Sequence, residues 1–348
     1  MADASPTNDR PEPSSHRTRR IALLLALVGL ALGGVLLATH DLSGILDALE
    51  AAGWGVLLVV ALHLPQTVLS GIAFGVLIGR GGRRLDVMWL MRWIRESVNT
   101  LLPVAQVGGD VVRVRLLARP GSMGGGLPLK VGIAASLVDV TAEMAAQIVF
   151  TLLGVAALLM GAHAGAALPV AATAVGATAA IAVAFVAAQR FGLVKLVERL
   201  VGKLTRGPAW RGLGDLHGLE EAVLALYREP RLLLTSGGWH LLSWSAGIAE
   251  TWAALHVLHL PAGFREATVI ESLGQAVRAI GFLVPGALGV QEGGYLVLCG
   301  LFGIAAPQAL ALSLTRRIRE LALGLPGLAT WQWLEWRRRR ARVDGAGH

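Results

Sequence analysis

Long apolar stretches alternate with short charged connectors along most of this chain, and the stretches run far past strand length. Ile21 to Thr39, Ala51 to Gly79 and Met144 to Gln189 contain no Asp, Glu, Lys or Arg. A helix of roughly 20 apolar residues spans the hydrocarbon core of a bilayer. The first two stretches therefore fit one crossing each. The third fits two, joined at Gly161-Ala162-His163-Ala164-Gly165. Leu232 to Leu258 and Gly293 to Thr315 supply further candidates, and no segment resembles strands. The pattern predicts an all-α polytopic membrane protein with about six transmembrane helices plus two re-entrant broken-helix elements. Eight crossings are the alternative, because Arg316 to Glu320 divide the last hydrophobic stretch.

Composition strengthens this reading: of 348 residues, 54% are hydrophobic and only 16% charged. A net charge of +8 would point a soluble protein toward nucleic acid. Here the basic residues flank apolar spans, where membrane topology accounts for them and no nucleic-acid partner is implied. Arg17, Arg19 and Arg20 precede the first span, and Arg337 to Arg340 with Arg342 follow the last. The positive-inside rule then places both termini in the cytoplasm and the chain in the cytoplasmic (inner) membrane. Residues 1–20 read as a disordered cytoplasmic tail, 21–336 as one transmembrane domain, and 337–348 as a basic cytoplasmic tail. The first apolar stretch lacks a convincing cleavage site and reads as a retained helix rather than a signal peptide. Trp331, Trp333 and Trp336 mark the last interface as an aromatic belt.

The connector 190–231 is a basic amphipathic cytoplasmic loop. Between Phe191 and Leu204 its apolar positions approximate helical spacing, which suits the membrane surface or a docking partner.

Two elements interrupt the apolar pattern in the same way. Leu101-Leu102-Pro103-Val104-Ala105-Gln106-Val107-Gly108-Gly109-Asp110 and Leu283-Val284-Pro285-Gly286-Ala287-Leu288-Gly289-Val290-Gln291-Glu292 each carry a carboxylate seven positions after the proline. Glu96-Ser97 precedes the first and Glu271-Ser272 the second, at different spacings. Charge flanks make the first element enter from the cytoplasm and the second from outside, as an inverted repeat requires. Paired broken segments in two halves of a membrane protein point to a substrate site.

Charged residues within the apolar stretches extend the candidate pathway. A charge at the bilayer centre costs about 2.5 to 3.5 kcal/mol on insertion scales, so such residues face a bundle interior or a wet cavity. Asp139, Glu143 and Gln147 recur every four residues on one helical face. Around the first break stand Arg92, Arg95, Glu96, Asn99, Asp110 and Arg113. Around the second stand Glu271, Arg278 and Glu292, and the last stretch adds Arg316, Arg317, Arg319 and Glu320. The candidate substrate pathway thus comprises Glu96, Asn99, Pro103, Gly108, Gly109, Asp110, Arg113, Asp139 and Glu143 in the first half. In the second it comprises Glu271, Arg278, Pro285, Gly286, Gly289, Glu292, Arg316, Arg319 and Glu320.

Arg92, Arg113, Arg115 and Arg119 can instead snorkel to the inner surface. His63, Pro65, Gln66 and Ser70 read as a kink or an interhelical hydrogen bond, and His240 and His256 as packing or interfacial residues. Cys299, the single cysteine, reads as a packing residue in an apolar run. No metal constellation, cofactor fingerprint, Walker A sequence or nucleophile elbow occurs, so neither metal, cofactor nor catalytic residue is assigned.

Asn99-Thr100-Leu101-Leu102-Pro103 with Gly108-Gly109-Asp110 and Arg113 resembles the first signature of the membrane domain of lysylphosphatidylglycerol synthases and related flippase-like proteins. Pro285-Gly286-Ala287-Leu288-Gly289-Val290 with Glu292 resembles the second. The hopanoid biosynthesis-associated membrane proteins look like the most similar branch, because they too consist of this domain alone. Two departures stand out. Val104 follows Pro103 where relatives carry glycine, and Asp139-Val140 with Glu143 replaces a Glu-Arg pair followed by Asp.

The resemblance implies lipid handling without the cytosolic aminoacyl-transfer domain. The expectation is a lipid translocator with membrane lipids as partners and hopanoid or other isoprenoid-derived lipids as cargo. Lipid-biosynthetic enzymes are a further partner class. A head-group-modifying enzyme or subunit, and a scaffold for biosynthetic enzymes, are the alternatives. Nothing in the sequence sets an oligomeric state.

Overall fold

The computed structural model describes residues 42–79, 84–102, 107–118, 126–161, 164–190, 192, 218–281 and 287–345, and every regular element among them is helical. The Ile21–Thr39 stretch, Pro103, Pro285, Gly286 and most of the amphipathic segment 191–204 lie outside the described residues.

Two halves share one succession of helices. In the first, α1 (Leu42–Ala52) leads to α2 (Gly55–Ile78), α3 (Leu85–Leu101), α4 (Gly108–Ala118), α5 (Leu129–Leu159) and α6 (Ala164–Arg190). In the second, α7 (Leu219–Tyr227) leads to α8 (Pro230–Val257), α9 (Phe264–Ile280), α10 (Val290–Gly300) and α11 (Ala306–Gly345). Each half contains a long helix, a 17-residue helix, a break, an 11-residue helix and a second long helix. At 1.5 Å per residue the 17- and 11-residue helices span roughly 25 and 16 Å, each short of a bilayer crossing. By length and apolarity α2 and α5 qualify as spanning helices among the described residues.

The packing repeats along with the order. Helix α3 of the first half lies on α11 of the second, and α9 of the second lies on α5 of the first. Both crossings use a serine against a glycine. A β-carbon on Gly154 would stand 1.7 Å from Ser272 Oγ, and one on Gly327 would stand 2.0 Å from Ser97 Oγ. The two Glu-Ser pairs thus do equivalent packing work despite their unequal spacing to the prolines. Small residues at such crossings let backbones approach closely, the main packing device where lipid supplies no hydrophobic drive between helices.

The corresponding helices α2 and α8 pack against each other along their lengths. A β-carbon on Gly55 would meet Val257, His63 bonds Glu250, and Ser70 bonds Ser243. Rising numbers on one helix meet falling numbers on the other, so the pair is antiparallel.

Two apolar clusters occupy opposite ends of the long helices. One joins Val59 of α2, Phe150 and Leu158 of α5, Leu255 of α8 and Leu310 of α11. The other joins Phe74 and Leu77 of α2 with Ile94 of α3, Leu116 of α4, Ile133 of α5 and Val223 of α7. Helix α7 lies inside the connector read as an amphipathic loop and seats Leu219 and Val223 in this second cluster. Helix α11 continues through the basic tail to Gly345. Each of α2, α5, α8 and α11 therefore reads apolar, polar, apolar along its length.

Candidate functional site

The polar middle segments of the long helices meet in one charged layer between the two apolar clusters. Isolated charges there would carry large desolvation costs, so the layer persists only if each is paired. The pairing is nearly complete.

In the first half, α3 sends Arg92 and Arg95 toward α5, where Glu143 Oε1 accepts from Arg92 at 3.0 Å and Oε2 from Arg95 at 3.1 Å. Arg95 Nε also donates to Asp110 Oδ1 at 2.9 Å, in the first turn of α4. Arg113, one turn further, donates to Asp110 at 2.7 Å and to Asp139 Oδ2 at 3.0 Å. Its guanidinium carbon lies 3.5 Å from the centroid of the Phe74 ring. Both Arg113 and Asp139 are 0% exposed, so Arg113 does not snorkel to an interface; its charge is matched within the bundle. His240 completes the chain, with Nε2 on Asp139 Oδ1 at 2.9 Å. The reading of His240 as a packing residue is corrected by that bond.

The second half repeats the logic with its own residues. Glu292 sits in the first turn of α10, as Asp110 does in α4, and accepts from Arg317 Nε at 3.1 Å and Nη2 at 3.0 Å. Its other oxygen accepts the Gly289 N–H at 2.6 Å, capping the helix. Gly289 has φ +77°, a conformation that glycine adopts at little cost. In the first half the equivalent cap comes from α3: Gly109 N–H donates to Asn99 Oδ1 at 2.7 Å. Glu320 accepts from Arg278 at 2.6 Å and from Arg317 at 2.9 Å. Arg316 pairs with Glu271, and Thr251 also bonds both. Glu143 and Glu320 lie at the same depth in α5 and α11, counted from Leu129 and Ala306.

His63 joins the two systems. Its Nε2 lies 2.7 Å from Glu96 Oε1 and its Nδ1 2.9 Å from Glu250 Oε2. Glu250 also pairs with Arg319 at 3.1 Å and accepts from Gln66. Arg319 Nη1 contacts His63 Nδ1 as well. Beside this junction opens a small cleft, lined by His63, Glu96, Arg319 and Glu320 together with Trp93, Thr100 and Gly324. Glu96 is the most accessible carboxylate of the junction, its side chain 31% exposed. The first system sets three guanidinium groups, on Arg92, Arg95 and Arg113, against four carboxylates, on Glu96, Asp110, Asp139 and Glu143. The second sets Arg278, Arg316, Arg317 and Arg319 against Glu250, Glu271, Glu292 and Glu320, four against four.

The structure brings together most of the predicted pathway residues, in partnerships that change their meaning. Asp139 and Glu143 are ion-pair acceptors rather than a free acidic stripe, and Arg278, Arg316 and Arg319 are bound to carboxylates. Gly108 and Gly109 open α4, and Gly109 allows α4 to touch α3. Sequence reading passed over Glu250, which is 1% exposed and central to the junction. It also gave His63 a lesser part, although a histidine and a glutamate in otherwise apolar stretches are themselves a signal.

Helices with a buried ionic layer midway between apolar ends define a membrane protein with a charged interior. The chain belongs to the family described as the lysylphosphatidylglycerol synthase TM region, whose model matches residues 21–327. That membership makes it a membrane protein linked to lipid modification or transport. No curated protein and no solved structure matches it.

Proposed function

We propose that the protein moves a lipid between the leaflets of the cytoplasmic membrane. The polar head group passes through the charged layer between the two helix–break–helix elements while the tail stays in lipid. The observation that carries this reading is the cleft at His63, Glu96, Arg319 and Glu320. Its charged lining offers ionic and hydrogen-bonding partners that a polar head group can use and an acyl or polycyclic tail cannot. It lies at the seam of α2 and α3 with α11, where the first half meets the second.

Antiparallel packing of α2 on α8 supports an inverted repeat. Corresponding helices run in opposite directions when an axis in the membrane plane relates the halves, and in the same direction when the axis is the membrane normal. Such a repeat with broken helices suits alternating access, one half rocking against the other. On this reading α3–α4 and α9–α10 are re-entrant elements, six helices span, and both termini are cytoplasmic. Hopanoid or other isoprenoid-derived lipids are the cargo class that the family resemblance favours. The chain carries cargo and performs no chemistry on it, and the 190–231 connector is where lipid-biosynthetic enzymes would dock.

The test is leaflet exchange in proteoliposomes, read by quencher access to a fluorophore-labelled phospholipid and to a labelled hopanoid. Wild type should equilibrate at least one of them. Thr100→Trp, which fills the cleft without removing an ion pair, should abolish exchange with normal expression and melting. Undiminished exchange in that variant would sink the pathway, and chemical conversion of the lipid would favour an enzyme.

A further inference from the structure

We infer that His63 is the proton-binding site that couples the two halves of the protein: taking up a proton moves its Nδ1 from Arg319 to Glu250. This rests on the transport reading for its purpose, but not for its geometry.

The atoms around the ring carry the inference. Nε2 faces a carboxylate, Glu96 Oε1 at 2.7 Å, and donates to it in either protonation state. Nδ1 faces a donor and an acceptor at once, Arg319 Nη1 and Glu250 Oε2. It cannot satisfy both. With a neutral ring the Nδ1 lone pair accepts from Arg319, which ties α11 to α2. A proton from water in the cleft occupies that lone pair, and the new N–H donates to Glu250 Oε2, which ties α2 to α8. Two cations would then abut, so Arg319 turns to its remaining partners, Glu250 Oε1 at 3.1 Å and Glu320 Oε1 at 3.6 Å.

One proton therefore exchanges an α2–α11 bond for an α2–α8 bond beside the cleft that α2 and α11 line. Ion-pair layers of this kind switch between discrete arrangements rather than deforming smoothly.

The other groups facing His63 make it the place for the proton. Helix α3 contributes Glu96 with Arg92 behind it, α8 contributes Glu250, and α11 contributes Arg319 with Glu320 beside it. Helix α5, the remaining large neighbour of α2, turns Asp139 and Glu143 to Arg113, Arg92 and Arg95. The carboxylates are thus matched by permanent guanidinium charges, whereas histidine changes charge near neutrality. The system containing Glu96 has one more carboxylate than guanidinium, so a proton on His63 balances it. His63 also lines the cleft, while His240 is fully buried at Asp139.

The experiment pairs lipid exchange with direct proton detection. Exchange of the labelled phospholipid is measured from about pH 5 to 8 in wild type and His63→Gln, whose amide mimics the neutral ring. Histidine ¹⁵N spectra of both proteins in nanodiscs are recorded over the same range. Wild-type exchange should change about tenfold across that window, the variant should be flat, and one titrating ring should vanish from its spectra. An equal pH dependence in His63→Gln would overturn the inference and leave the transport reading standing.

If neither protein exchanges lipid, the transport reading fails and the spectra alone decide: a titrating His63 upholds the proton site, and a silent one removes it. If His63→Gln does not fold, Glu250→Gln replaces it. Loss of the acceptor should move the titration midpoint by about one pH unit, and an unmoved midpoint refutes the exchange of partners.

Discussion

Replacing Gly109 with alanine tests whether the contact between α3 and α4 sets the charged layer. A β-carbon at Gly109 would lie 2.2 Å from the Arg95 carbonyl oxygen and 2.8 Å from Asn99 Oδ1. Ordinary contact needs about 3.4 Å, and the obstacle is backbone, so no rotamer change relieves it. The helices must part by about 1 Å, an overpacking cost of roughly 1 to 3 kcal/mol. The same movement stretches the 2.9 Å Arg95–Asp110 bond and the 2.7 Å cap from Gly109 to Asn99.

A buried charge left without its partner adds a penalty of about 3 to 5 kcal/mol, of which a stretched pair loses part. The expected total for Gly109→Ala is about 3 to 5 kcal/mol. Gly176→Ala is the control, since a β-carbon on Gly176 in α6 meets nothing within 4 Å. That change should be neutral or stabilising by up to about 1 kcal/mol from helix propensity. Both variants are melted in the same detergent, followed by tryptophan fluorescence. Equal melting temperatures would refute the reasoning.

Arg113→Met leaves Asp110 to Arg95 and Asp139 to His240 and should cost about 3 to 5 kcal/mol; adding Asp139→Asn should return part of it, and strict additivity in detergent melts would count against the pair. Gly154→Ala and Gly327→Ala should each cost about 1 to 3 kcal/mol, with Ser272→Ala restoring part of the first and none of the second. Gly289→Ala forces a β-carbon to φ +77° and should cost about 1 to 2 kcal/mol, which a melt would register as a lowered midpoint. Ser14→Cys in a Cys299→Ala background should react with a membrane-impermeant maleimide only after cells are opened. Labelling of intact cells would place the N-terminus outside.

Periodicity and charge spacing carried the architecture far because a membrane restricts what a chain can do. Long apolar runs leave helices as the economical answer, and the short helices α3 and α4, like α9 and α10, end and begin on either side of the segments that hold the two prolines in the sequence. Asp110 and Glu292 were matched by their distance from proline, and they occupy the first turns of corresponding helices. What spacing cannot convey is the partner of a charge. Asp139 and Glu143 share a helical face, which looks like an acidic stripe until α3 and α4 bring Arg92, Arg95 and Arg113 across it. Glu250 escaped notice because a single carboxylate barely disturbs a hydrophobic window. Its importance comes from residues about 70 and 190 positions away, Arg319 and His63, which only the tertiary fold places beside it.

The distribution of charge within the layer bears on why it is ionic at all. A layer needed only for stability would be served as well, or better, by apolar residues of similar volume, since desolvation offsets much of what a buried pair gains. Here the helix starts of α4 and α10 each hold a carboxylate under an arginine, so each break is fastened to its own half through Arg95 and Arg113 or through Arg317. Several contacts cross between halves, among them His240 to Asp139 and Arg115 to Glu335. Three of them, His63 to Glu250, His63 to Arg319 and Gln66 to Glu250, share the same small set of partners. Under the proposed transport function, pairing within each half and a shared, exchangeable set of partners at His63 would suit two bodies that rock against each other. The proposal then puts the exchange of partners at the α2–α8–α11 junction rather than at the breaks.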